Sequence, residues 1–151
     1  MTELPRQLDD LAREAVDAAF YLHRRIGPGL LESAYEALLA ERLRQRGYRV
    51  DRQRPIDIQI ENLRIPDAFR ADLIVQGMLL IELKSVQKLA PVHSKQVLTY
   101  LRLMELPLGI LINFNTELFR DGVKRIINSR AVGAFAPWRE TPLPPPEMTV
   151  S

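Results

Sequence analysis

The stretch Phe69–Lys84, FRADLIVQGMLLIELK, decides the fold, because it reads as two strands joined by a turn. Asp72, Glu82 and Lys84 stand in apolar runs where a strand with a purely structural duty would carry Val or Leu. Strand side chains alternate between faces, so Leu80, Glu82 and Lys84 share one side of the second strand, and Leu79, Ile81 and Leu83 the other. Charges are almost never fully buried unless they are paired or bind a metal. A carboxylate and an ammonium on one strand face therefore mark a site or an ion pair.

The turn decides whether Asp72 joins them. A two-residue loop, Gln76-Gly77, pairs Asp72 with Ile81 and leaves it on the face opposite Glu82. A three-residue loop, Gln76-Gly77-Met78, pairs Val75 with Leu79 and Asp72 with Glu82, with Gly77 available for the left-handed residue that such loops need. Two carboxylates opposed across a ladder repel unless a cation lies between them. A metal site thus predicts the odd-length loop.

Working outward, residues 5–26 carry Leu8, Leu11, Ala15, Ala18, Leu22 and Ile26 at helical steps, and Gly27-Pro28-Gly29 stops that helix. A second helix is predicted from Leu31 to Arg46, with Leu31, Ala34, Tyr35, Leu38, Leu39 and Leu43 inward and Gly47 as its stop. Tyr48 to Arg52, then Ile56, Ile58 and Ile60, read as one long broken strand, with a turn near Glu61-Asn62, leading into the central hairpin. Beyond Lys84 a helix is expected over Val92–Glu105, followed by LGILINF, 108–114, a strand buried on both faces. A last helix is expected over Leu118–Asn128. The order gives an α/β domain whose mixed four-stranded sheet, a three-strand antiparallel meander plus one crossover strand, is flanked by helices.

The chain has 151 residues and no cysteine, which excludes disulfides, thiolate catalysis and cysteine zinc sites and fits a reducing compartment. One domain over 1–136 is expected, with a Pro-rich, disordered tail over 137–151. No apolar run approaches the roughly 20 residues of a membrane span, and the opening MTELPRQLDDLAREA is too acidic and polar for a secretory signal. The expectation is a soluble, cytoplasmic protein. The net charge of +2 does not identify a nucleic-acid binder. Arg42, Arg44, Arg46, Arg49, Arg52 and Arg54 lie close together, however, as either a phosphate-tracking patch or a solvated helix end and strand edge.

Gly29-Leu30-Leu31-Glu32-Ser33-Ala34-Tyr35 resembles the motif that gives the GxxExxY proteins their name. RADLIV, IELK, PVHSKQVLTYL and LGILINFN resemble that family's later blocks, over residues 10–130 or so. The family is assigned to the PD-(D/E)XK nuclease superfamily, so the resemblance implies a restriction-endonuclease-like core. It also implies a divalent ion on Asp72 and Glu82, helped by the Leu83 carbonyl. Oxygen-only ligands suit Mg2+ or Mn2+ and would not select zinc. Lys84 would then orient a water or offset transition-state charge; otherwise it is a simple partner for Glu82.

Two aspartates compete for the first ligand position, since Pro66-Asp67 also precedes Glu82-Leu83-Lys84. The odd register favours Asp72, as does the RADLIV block, and leaves Asp67 to cap the turn into the strand. Glu32 opens its helix, where an acid favours the dipole; the resemblance makes it a third acid for the metal. Gln96 and Tyr100, four apart on one helix face, resemble the Gln-x-x-x-Tyr motif of RecB-like nucleases. Tyr35, at i+3 from Glu32, either packs in the core or reaches the site, and Arg70 within RADLIV is a further substrate-binding candidate. His93 is expected to be a surface or capping residue.

The implied activity is phosphodiester hydrolysis of DNA, ahead of RNA. The alternative is a catalytically silent nucleic-acid- or protein-binding module on the same fold. With no separate recognition domain in so short a chain, specificity would come from a homodimer, an accessory protein or substrate shape.

Overall fold

The computed structural model describes residues 4–134, so the Pro-rich tail expected from residue 137 lies outside the described residues. Helix α1 spans Arg6–Ile26 and buries Leu8, Leu11, Ala15, Ala18 and Leu22, the stripe read from the sequence apart from Ile26, which is exposed. It stops at Gly27, whose φ of 76° leaves the helical region. Helix α2, Glu32–Gln45, buries Tyr35, Leu39 and Leu43. Leu31 and Leu38, placed inward by the pattern, are 78% and 39% exposed. Leu31 precedes the first helical turn, so helical spacing does not govern where it points.

Strands β1, Val50–Ile60, and β2, Leu63–Val75, pair antiparallel from Val50↔Val75 to Ile60↔Leu63 around the Glu61-Asn62 turn. The expected break is a bulge. Ile56 pairs with Phe69 and Ile58 with Ile65, so β2 carries two extra residues there. Asp67 lies in that bulge at φ 53°, rather than at a turn into the strand. Its N–H donates to Asp57 Oδ1 at 2.8 Å and its carboxylate pairs with Arg70 at 3.2 Å. Strand β3, Leu79–Lys84, pairs antiparallel with the inner end of β2. Helix α3, Pro91–Met104, then crosses to β4, Leu108–Asn113, which lies parallel to β3 and is buried along its whole length. Gly109 lets α3 sit close on the sheet, since a Cβ there would come within 2.8 Å of Val97 Cγ1.

The sheet has five strands in the order β1-β2-β3-β4-β5, where the sequence predicts four. In place of the expected helix over Leu118–Asn128 stand a single 3-10 turn, Phe119–Gly122, and an edge strand β5, Val123–Ile127, antiparallel to β4. A short helix α4, Ser129–Ala134, follows. Val123, Ile126 and Ile127 stand at helical spacing, but β-branched residues favour the pleated surface, and β4 offers an unpaired edge.

Helices α1 and α2 cover one face of the sheet over Leu73, Val75, Leu79, Ile81, Leu83, Ile110 and Ile112. Helix α3 covers the other, over Ala71, Ile74, Leu80 and Leu111. Among the described residues no helix is long and apolar enough to cross a membrane.

Candidate active site

The loop between β2 and β3 has Gln76 at φ 55° and Gly77 at φ 68°, and sets the odd register Leu73↔Ile81, Ile74↔Leu80, Val75↔Leu79. One further step brings Asp72 beside Glu82. The backbone N–H of Asp72 donates to Glu82 Oε1 at 3.1 Å, and the N–H of Leu83 donates to Asp72 Oδ2 at 2.9 Å. Strand alternation turns Glu82 and Lys84 toward the α3 face, the side of Leu80.

Glu82 is only 4% exposed. Burial, and after it the charge on Asp72, pushes its carboxyl up to about 8, while Lys84 pulls the other way. The pair therefore resists carrying two negative charges unless a cation joins it. Lys84 is half-buried and makes no ion pair among the described residues, so it is not locked to Glu82. Across from it on β4, buried Asn113 accepts from Val86 N–H at 3.1 Å and donates to Val86 O at 2.9 Å, fixing the chain as it leaves β3.

Glu32 reaches the same end of β3. Its Oε2 accepts from Ser85 N–H at 3.1 Å, and Ser85 Oγ donates to Leu30 O at 3.1 Å. Tyr35 is fully buried and stacks on Phe114 with ring centroids 4.3 Å apart. Its hydroxyl donates to Gly27 O at 2.5 Å and accepts from Leu30 N–H at 3.2 Å, so its polar end holds the loop that delivers Glu32.

On α3, Tyr100 stacks on Phe69 at 4.0 Å. Its phenol is pushed up by burial first and then by the charges on Glu82 and Asp72, which puts it in the field of the carboxylates. Gln96, one turn earlier, is exposed, and its side chain makes no hydrogen bond among the described residues. His93 accepts from Ala90 N–H through Nδ1 at 2.9 Å, as a helix cap. Arg70 is exposed, donates to Gln53 O at 3.3 Å and pairs with Asp67.

The arginine run does not form a stripe of unpaired cations. Arg46 pairs with Glu14, Arg52 with Glu36 and Arg54 with Asp51, while Arg44 donates to Val50 O. Arg42 lies over the Tyr21 ring at 4.1 Å, and Arg49 too has an interaction. Much of this run ties α2 to α1 and β1.

Two residues beside the site escape sequence reasoning. Glu36, one turn beyond Glu32, is 4% exposed and is held by Arg52 at 3.1 Å. Gln53 donates through Nε2 to Glu36 Oε1 at 2.5 Å and to Asp72 Oδ1 at 3.2 Å. Glu36 left a signal, a carboxylate on a buried helix face; Gln53, inside the polar run DRQR, left none.

The donor set suits a hard divalent cation. Asp72 and Glu82 offer oxygen only, and their mutual repulsion favours a cation between them. Among the described residues no cluster of three or more His, Cys, Asp or Glu is arranged to hold one.

The mixed sheet with helices on both faces is consistent with a restriction-endonuclease-like fold. No curated protein and no solved structure matches the chain. A family model described as the PD-(D/E)XK nuclease superfamily matches residues 9–126, from α1 to β5, and the chain belongs to that superfamily.

Proposed function

We propose that the protein is a nuclease dependent on Mg2+ or Mn2+ that hydrolyses phosphodiester bonds of DNA, ahead of RNA. The observation that carries this reading is the odd-register hairpin, which sets Asp72 against buried Glu82, with Lys84 on the same face of β3 as Glu82 and in no ion pair among the described residues. Asp72 and Glu82 would hold the metal, with the Leu83 carbonyl and Glu32 as further oxygen donors. Such an ion, when bound, polarises a phosphate oxygen and lowers the pKa of a bound water.

The chain's own residues do the rest. Lys84 offers an ammonium that no carboxylate holds in an ion pair among the described residues, suited to orienting the attacking water or offsetting charge on the reacting phosphate. Tyr100 and Gln96 line the α3 side to meet substrate, with Arg70 on the approach from β2. Tyr35 acts through the Gly27–Leu30 loop that delivers Glu32. The GxxExxY resemblance and a cytoplasmic setting go with this reading.

The second reading, a catalytically silent binding module, is favoured by the ribbon of β1 and β2 beyond β3. There Ile60, Leu63 and Ile65 are 62%, 74% and 58% exposed, a surface suited to a second copy or an accessory protein.

The test is cleavage of labelled single-stranded, duplex, flapped and branched DNA and of RNA, with Mg2+, Mn2+ or EDTA, beside Lys84→Ala. Metal-dependent cutting that the variant lacks supports the nuclease. Binding without cutting by the wild type hands the case to the module.

A further inference from the structure

We infer that Gln53 is a positioning residue that aims the Asp72 carboxylate at the metal position, with the buried Glu36–Arg52 pair as its anchor. This rests on the metal-binding reading above and names a residue that the resemblance did not point to.

Gln53 lies across the ladder from Asp72, between the pairs Arg52↔Leu73 and Arg54↔Ala71. Its backbone takes φ 51°, a left-handed conformation that costs a residue with a Cβ. Core packing does not impose it, because Gln53 is exposed. What the conformation accompanies is a single amide nitrogen shared by two carboxylates, Glu36 at 2.5 Å and Asp72 at 3.2 Å.

The two ends of this bridge are unlike. Glu36 is almost fully buried on α2 and its other oxygen takes Arg52, so it is a fixed, charge-compensated anchor. Asp72 is only partly buried, and its second oxygen accepts the Leu83 N–H. Donors on β1 and β3 thus grip Asp72, one at each oxygen, and fix the carboxylate plane beside Glu82. The chemical type of residue 53 matters as much as its reach. A lysine or arginine there would neutralise Asp72 and compete with a cation, and a glutamate would add repulsion. A neutral amide sets direction while leaving the negative charge for the metal.

The experiment is Mn2+ titration of the full chain, followed by electron paramagnetic resonance, alongside thermal melts without metal. It compares wild type, Gln53→Leu and Gln53→Gly. Removing an outer-shell partner of a ligand weakens metal binding by roughly 10- to 100-fold, and both variants are expected to lose that much. Gln53→Gly is expected to melt above Gln53→Leu, because both lose the hydrogen bond to buried Glu36 and only glycine accepts the left-handed φ without cost. Equal loss of Mn2+ affinity in two variants of unequal stability cannot be a folding defect. Wild-type affinity in both variants, or in Gln53→Gly alone, overturns the positioning role while leaving the metal site standing. A wild type that binds no Mn2+ overturns the metal reading and this inference together.

Discussion

Strand β3 shows two different faces to its two coverings. Toward α1 and α2 it presents Leu79, Ile81 and Leu83, all at most 1% exposed and surrounded by Leu73, Val75, Ile110 and Ile112. Toward α3 it presents Leu80, Glu82 and Lys84, so its apolar cover stops halfway along. The same backbone, with the same ladder partners, carries both. A face that is apolar throughout supplies the burial that holds the sheet, and this lets the other face keep two carboxylates close together at a cost in stability.

The sharpest way to break that comparison is to substitute one residue on each side. Lys84→Ala is expected to reduce cleavage to background in the same metal-dependent assay, with a melting temperature close to wild type, because the ammonium makes no ion pair among the described residues. Ile81→Ala is expected to cost about 2–5 kcal/mol in a urea melt, since a fully buried aliphatic leaves a cavity, while the folded fraction keeps its turnover. If Lys84→Ala unfolds the protein as badly as Ile81→Ala, the α3 face is structural and the site assignment fails.

The pH dependence of stability sharpens the contrast. Glu82 titrates at about 8 in the fold against an ordinary 4.5, so the folded chain holds a proton that the unfolded chain releases. Stability is therefore undiminished below about 4.5 and falls as pH rises toward 8, where the loss levels off. At about 1.4 kcal/mol per pH unit the upper bound on that loss is about 5 kcal/mol. Glu82→Gln is expected to flatten the fall, and so is saturating Mn2+, which replaces the shared proton. A wild-type stability that rises from pH 5 to 8 would show that the pair is not repulsive.

The sequence made this hairpin readable because two independent signals meet there. Acids in an apolar run require one register, and Gly77 permits the loop that produces it. Elsewhere only one signal was present. In β5 the spacing of Val123, Ile126 and Ile127 fits a helix as well as a half-covered strand, and the deciding fact, the open edge of β4, is tertiary. Glu36 and Gln53 meet only because β1 passes α2, and no local pattern carries that crossing. Asp67 is similar: Pro66-Asp67 promises a turn, and the ribbon places it in a bulge.

The arginine run yields the smallest expected effect and tests the same lesson at the surface. Arg46 touches Glu14 at 3.0 Å, with its side chain 28% and that of Glu14 46% exposed, so the pair is a solvated one. Arg46→Ala is expected to cost roughly 0.2–1 kcal/mol, less as salt is added. In a binding assay with labelled DNA in EDTA, the slope of log affinity against log salt is expected to stay at its wild-type value. Had Arg46 neutralised a phosphate, its removal would lower that slope by about 0.9 on duplex DNA, so a drop of that size would return Arg46 to the phosphate track. An unchanged slope assigns Arg46 to holding α2 against α1, and leaves substrate attraction to cations on the α3 face, where Lys84 lies.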